Sequence, residues 1–296
     1  MQGYVATIGM FDGVHMGHRF VLNHVVQTAR EKGLQSMAIT FDRTPKDQVL
    51  TPLDEKLLLL SKTHIDHVEV LTFDDALKQL TARQFMEQVL RDRLHVRVLL
   101  TGYDNRFGHH REEGFEDYVR YGQQLGIEVM SLPPAPSQGT GTTVSSSLIR
   151  RQLAEGRVGE AAIGLGYHYT LMGRVEHGEH IGTRLGFPTA NLVPADPRQL
   201  IPAPGVYAVT VRQENTMEHK HGMMNIGMRP TFDGHRQTLE VNIFHLHENL
   251  YGQRLLVSFV ARLRDEQRFD SIDDLKAQLQ QDAERAQAVL SHDISE

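Results

Sequence analysis

From Tyr4 to Leu132, short apolar runs alternate with longer stretches in which apolar residues return every three or four positions. The runs Tyr4–Ile8, Ser36–Phe41, Val68–Thr72, Val96–Thr101 and Ile127–Leu132 have the length and apolar content of buried strands. Between them, His18–Lys32 carries a helical spacing that closes on Gly33. Thr81, with Gln84 three residues on, forms a capping-box signature ahead of Phe85, Val89 and Leu90. Gly126 stops a further helix at the end of "FEDYVRYGQQLG". Alternating strand and helix predict βαβ units and a mainly parallel sheet, where ligands gather beyond the carboxyl ends of the strands.

The pattern changes after Leu132. Pro133–Thr143, "PPAPSQGTGTT", has the composition of a loop or mobile connection. "VSSSLIRRQLAEG" then reads as a capped helix ending at Gly156, and a short helix over Val158–Leu165 ends at Gly166. From Tyr169 onward the runs are short, alternate in polarity and are closely separated by turn signals. In "LLVSFVARL", Leu255, Val257, Phe259, Ala261 and Leu263 are expected to share one face. This pattern suits a small antiparallel barrel or sandwich. At the end, Ser271 with Asp274 caps a helix whose stripe, Leu275, Leu279, Ala286 and Leu290, is expected to pack on that β unit.

With 296 residues the chain is long enough for roughly two domains of about 150 residues each, expected at 1–160 and 161–296. Hydrophobic residues at 40% and charged residues at 23% indicate a folded globular chain. The absence of cysteine excludes disulfides, thiolate zinc sites and a cysteine nucleophile. The first stretch, "MQGYVATIGMFDG", lacks a leader's basic-then-apolar pattern, and the densest apolar cluster, Leu57–Leu60, is far short of the ~20 residues of a membrane span. A cytoplasmic protein is therefore expected. A net charge of −6 argues against a broad nucleic-acid surface, which needs Lys and Arg to neutralise phosphates. Small anionic ligands need only a local positive site.

"IGMFDGVHMGHRF" follows the first strand run. His15 and His18 could ligate zinc, but a site needs a third ligand and no cysteine is available. Gly9, Gly13 and Gly17 allow close backbone approach to a ligand, and the helix beginning near His18 aims its N-terminal amides at the same edge. This is the pattern of an anion site, where imidazoles can donate to phosphate oxygens.

These residues resemble a known family. "GMFDGVHMGH" is similar to the His-x-Gly-His signature of nucleotidylyltransferases, and "VSSSLIR" to their second, Ser/Thr-rich signature. With "TFDRTP" and "TGYDNRFG" the set resembles the bacterial bifunctional riboflavin kinase and FAD synthetase. In the second half "GTRLGFPTANL", "NIGMRPTF", "LEVNIF", "LYGQRL" and "LRDEQRF" follow in that family's order. The resemblance implies a Rossmann-like α/β nucleotidylyltransferase domain followed by a small antiparallel β-barrel with a C-terminal helix.

It also implies two reactions. The barrel would transfer the γ-phosphoryl of ATP to riboflavin, with Glu240 as base and Thr189 and Asn191 holding Mg²⁺ with the nucleotide. The α/β domain would join FMN to the α-phosphorus of a second ATP, giving FAD and pyrophosphate. There the resemblance assigns nucleotide contacts to Gly9, Phe11, Asp12, Gly13, Gly17, Ser145, Ser146, Ser147 and Arg150, with His15 and His18 catalytic. In the kinase it assigns nucleotide contacts to Gly182, Gly186, Pro188, Thr189 and Asn191. Flavin contacts fall to Asp104 and Phe107 in the first domain and Asn225, Arg264 and Phe269 in the second. The partners expected are these small molecules, without nucleic acid or membrane, and the pattern allows weak self-association.

The chain departs from the family's pattern at Thr44, where His is frequent, and at Asn105, in place of a frequent aromatic. Ser147 stands where Thr is usual and keeps the hydroxyl; Tyr167 replaces a common Arg. Two rival readings follow: a kinase with a weakened adenylyltransferase, and a flavin-binding protein without turnover.

Overall fold

The computed structural model describes residues 3–44, 46–102, 106–109, 112–132, 144–177, 186–231, 234–246 and 248–292, with backbone alone at 229–231 and 234–236. The connection at 133–143 lies outside these residues, as do Asp104, Asn105 and Gly182. The chain divides into two compact units, Met1–Ser146 and Ser147–Glu296.

In the first unit five parallel strands, β1 (Tyr4–Ile8), β2 (Gln35–Phe41), β3 (His67–Leu71), β4 (Val96–Gly102) and β5 (Glu128–Leu132), lie in the order β3-β2-β1-β4-β5. Each falls within one residue of its predicted bounds. The helices are α1 (Met16–Lys32), α2 (Leu53–Ser61), α3 (Asp75–Gln79), α4 (Ala82–Gln84, continued by a π-helical run over Phe85–Arg93) and α5 (Phe115–Leu125). Ala6, Ile8, Met37 and Leu99 pack against Phe85, Met86 and Tyr118 on one face of the sheet. Val5, Val98 and Leu100 pack against Val25 and Ala29 on the other. Burial on both faces explains why the strand runs are nearly continuously apolar. Because β1 lies between β2 and β4, strand order reverses beside it, and such a switch point is where open α/β sheets hold ligands.

Gly33 and Gly126 take the left-handed conformation, with φ of 64° and 70°, and close α1 and α5 as their positions predict. The Thr81–Gln84 capping box is also formed. α1, however, starts at Met16, ahead of the expected His18. Its cap is the His15 imidazole, which lies outside the Ser, Thr, Asp and Asn set that marks helix starts in sequence.

The second unit holds α6 (Ser146–Ala154), whose first residue belongs to the first unit, and α7 (Val158–Leu165). The Ala203 amide donates to the Leu153 carbonyl, and Gly156 packs against the Arg262 side chain, which ties α6 to the β unit. β6 (Thr170–Glu176), β7 (Ala190–Pro194), β8 (Gly205–Gln213), β9 (Lys220–Thr231), β10 (Gly234–Ile243) and β11 (Arg254–Arg264) close a barrel in the order β10-β7-β6-β11-β8-β9. The barrel, not a sandwich, is therefore the architecture. α8 (Ile272–His292) lays Ala283, Ala286 and Leu290 on Val206, Ala208, Met223, Val260 and Leu263. One expectation fails in β11. Its register with β8 shifts between Phe259 and Ala261, so Val260, and not Ala261, is buried, together with Leu263, beneath α8. An extra residue on one strand breaks strict alternation.

The barrel and α8 are also joined by charge. Arg264 donates from Nε and Nη2 to the Asp282 carboxylate at 2.7–3.0 Å, and Gln278 donates to the same group. Asp282 is 2% exposed, so removing it strands a cation in a largely dry place. Asp282→Ala should lower the unfolding free energy by about 3–5 kcal/mol in urea titrations, while replacing both partners with apolar residues of similar volume should recover most of the loss.

Candidate active sites

The segment after β1 turns sharply before α1 begins. Phe11, Gly13 and Val14 have φ of 47°, 85° and 34°, values that a bulky or β-branched side chain adopts only when its surroundings impose them. Those surroundings are polar and specific. Asp12 Oδ1 accepts from the amides of Leu50 (2.8 Å) and Thr51 (3.1 Å), Thr51 Oγ1 accepts from the Gly13 amide (3.0 Å), and Arg19 Nε donates to the Val14 carbonyl (3.2 Å). Asp12 is thus directed inward, holding the turn in shape. Ser146 Oγ donates to the Asp12 carbonyl at 2.9 Å, bringing the second signature against the first. Ser145 is exposed beside it, whereas Ser147 and Arg150 fall in the second unit.

The turn presents both histidines at the head of α1. His15 Nδ1 accepts from the His18 amide at 3.3 Å, which in the neutral ring leaves the proton on Nε2. The two imidazoles stack with centroids 3.6 Å apart, and Phe11 meets His18 edge-on at 5.3 Å. Burial first, then the charges of His15 and Lys56, holds the His18 imidazole well below 6.5, so it is neutral at pH 7. A methyl group on Gly17 would come within 3.2 Å of the His15 ring, and one on Gly9 within 3.1 Å of the Phe11 ring. The first turn of α1 contains no acidic residue, so its positive end is uncompensated.

Gly9 also borders a cavity of about 380 Å³, lined by Met10, Phe41, Phe73, Phe85 and Phe107. Phe107 stacks on Tyr118 at 4.1 Å, and the Tyr118 hydroxyl accepts from the Phe107 amide. The aromatic wall is therefore fixed from behind. Lys78, Arg106 and His109 stand at the same cavity.

In the barrel the register sets one row of polar residues. Glu240 on β10 lies directly opposite Asn191 on β7 and Asn225 on β9. Directly opposed residues in antiparallel strands share a face. Glu240 and Asn225 border a cavity of about 310 Å³ with Phe187, Thr189, Arg264 and Phe269. Pro188 and Thr189 border a second cavity of about 340 Å³ with Asn249 and Tyr251, so Thr189 is common to both. The Tyr251 ring stacks on His177 at 3.9 Å. Gly186, with φ of 84°, begins the turn that delivers Pro188 and Thr189. Arg264 reaches its cavity with its fork on Asp282, and its guanidinium carbon is 5.7 Å from the Phe269 ring centroid.

Two residues at these sites received no role from the sequence. Asn242, 6% exposed, donates from Nδ2 to the Pro188 carbonyl at 2.7 Å and so anchors the turn holding Thr189. Its position two residues after Glu240 on the same strand face is the one clue available. Lys56, 7% exposed, donates from Nζ to the carbonyls of Phe41 (2.8 Å) and Met10 (3.3 Å), beside His18. Burial outweighs the attraction of Asp12 and Asp42 and lowers its ammonium to about 8.

Comparison with known proteins follows the same division. The family model for FAD synthetase matches residues 1–148 and that for riboflavin kinase matches residues 165–290. The chain is 38% identical to the bifunctional riboflavin kinase/FMN adenylyltransferase of Haemophilus influenzae, over 98% of this chain and 96% of that one. It is also 38% identical to the protein of that name from Escherichia coli K12, over 95% and 91%. A crystal structure described as a macrolide-efflux protein from Streptococcus pneumoniae superposes with a TM-score of 0.88 at 31% identity, covering 97% of this chain and 94% of that one. Among the described residues no helix is long and apolar enough to cross a membrane. Both family models and relatives matched over nearly their whole length agree: the chain belongs to the bifunctional riboflavin kinase and FMN adenylyltransferase family.

Proposed function

We propose that the two reactions of this family are divided between the two units, adenylyl transfer at the histidine-bearing turn and phosphoryl transfer at the Glu240 row. The observation that carries the division is geometric. Each unit has its own cavity beside its own set of phosphate-directed groups.

In the first unit, the amides at the head of α1, the Nε2–H of His15 and the neutral ring of His18 offer donors to a triphosphate, with Ser145 and Ser146 alongside. The aromatic cavity bordered by Phe107 accepts the flavin ring of FMN. An oxygen of the FMN phosphate then attacks the α-phosphorus of ATP, the bond to the β-phosphate oxygen breaks, and pyrophosphate leaves. Donors fixed before reaction stabilise the charge that grows on the departing group without reorganising. Asp12 contributes by holding the turn and not by touching the nucleotide.

In the second unit, riboflavin occupies the cavity bordered by Asn225, Phe269 and Glu240, and ATP occupies the neighbouring cavity with its γ-phosphate near Thr189. Glu240 accepts the proton of the ribityl 5′-hydroxyl as that oxygen bonds to the γ-phosphorus, and ADP leaves. Thr189 and Asn191 present hard oxygen donors, which suits Mg²⁺, an ion that retains much of its water and takes few protein ligands. Bound there with ATP, the ion would neutralise phosphate charge. Thr44 and Asn105 do not enter this mechanism, so the complete turn at His15 and His18 favours two activities over a kinase alone. The reading places the enzyme in the cytoplasm with its substrates.

The assignment has separable consequences. His18→Ala should abolish FAD formation while FMN still accumulates from riboflavin and ATP, resolved by chromatography. Glu240→Gln should abolish FMN formation while supplied FMN is still adenylylated. Loss of both activities in either folded variant contradicts the division. In a histidine-selective NMR titration, the ring assigned to His18 by comparison with His18→Ala should stay in its neutral form while the exposed histidines become protonated. A midpoint near 6.5 would show that the ring is not desolvated.

A further inference from the structure

Lys56 is a buried cation that neither reaction, as derived above, uses. It sits on α2 with its ammonium at the carboxyl edge of the sheet, where it donates to the carbonyl of Phe41, the last residue of β2, and to that of Met10, just past β1. Met10 and Phe41 both line the 380 Å³ aromatic cavity, and Met10 is the second residue of the turn that leads to His15 and His18. The Met10 carbonyl also accepts from Thr40 Oγ1, and the Gly9 amide donates to the Ile39 carbonyl. One ammonium therefore joins the acceptor cavity to the phosphate-directed turn.

We propose that Lys56 is a positioning residue for adenylyl transfer: its ammonium holds the Met10 and Phe41 carbonyls so that the flavin cavity and the histidine turn keep a fixed relation. The inference rests on the placement of adenylyl transfer at that turn. An apolar side chain of the same length would leave two carbonyls without this donor and remove a positive charge from the edge at which α1 also points its amides. The titratable groups facing Lys56 are Asp12 from the turn, Asp42 from the end of β2 and His18 from α1; Asp54 and Glu55 precede it on its own helix. The two aspartates favour the ammonium, while burial opposes it more strongly and brings its titration to about 8. The positive form makes the carbonyl contacts with three donors, so the clamp should weaken as pH rises through about 8.

The test uses the full chain, with riboflavin phosphorylation as an internal control. Lys56→Met should lower kcat/KM for adenylylation of FMN by about 30- to 100-fold, with a raised KM for FMN, because small displacements of reacting groups cost rates of this order. Riboflavin phosphorylation should stay within about twofold. Lys56→Arg, which remains charged, should retain activity within about tenfold and lose the alkaline fall near pH 8 shown by the parent chain. If Lys56→Met disrupts the first unit, the pH profile of Lys56→Arg decides alone. Wild-type adenylylation in folded Lys56→Met, or an unchanged alkaline limb in Lys56→Arg, overturns the proposal. His18→Ala separates the two failures. If it is inactive while Lys56→Met is unimpaired, the lysine's role is wrong; if His18→Ala is itself active, the placement of the reaction is wrong.

Discussion

A single buried carboxylate governs the first site. Asp12 accepts from two amides of the segment leading into α2, and those bonds keep Phe11, Gly13 and Val14 in backbone conformations that an unsupported loop would abandon. Released from that geometry, the chain would not deliver His15 to the cap of α1, and the rings of His15 and His18 would lose their stacked arrangement. Hydrogen bonds from amides to a buried charged acceptor are among the stronger single contacts in a protein, of order 1.5–3 kcal/mol each. That is enough to hold residues whose backbone strain is about 1–3 kcal/mol apiece. The acid in the signature is therefore a mechanical part, and the donors around it are left to meet substrate.

The second site is built by register and not by strain. Strand pairing sets Asn191, Glu240 and Asn225 in one row across three strands, and a slip of one residue in β10 would turn Glu240 away from the cavity. α8 closes the same region, with Leu275 and Leu279 at the cavity and the Arg264–Asp282 pair tying the helix to β11. The bulge in β11 serves this arrangement, since it lets Leu263 lie with Val260 under α8, where strict alternation would have set the two on opposite faces.

Both units thus solve one problem with different means. Phosphate chemistry needs donors and oxygens held in place before substrate arrives, in surroundings dry enough for charge to matter. The parallel sheet does so with a helix N-terminus and a clamped turn at its carboxyl edge, and the barrel with a cross-strand row and a turn anchored by Asn242. A buried cation, Lys56, and a buried ion pair, Arg264–Asp282, stabilise the respective frames.

The sequence by itself determined the order and kind of the elements, because hydrophobic period, glycine caps and the Thr81–Gln84 box act within a few residues. It also determined which residues carry the family's signatures. The tertiary structure decided what those residues do. That Asp12 turns inward to amides 38 and 39 residues away, that Asn242 reaches the Pro188 carbonyl 54 residues back, and that Lys56 lies buried between two strand ends all depend on contacts distant along the chain. The cap of α1 escaped the sequence for a related reason: a histidine reads as a helix cap only when the turn before it is already folded. Local periodicity survives in any window of the chain, whereas a hydrogen bond between remote partners exists only once packing has excluded water from both.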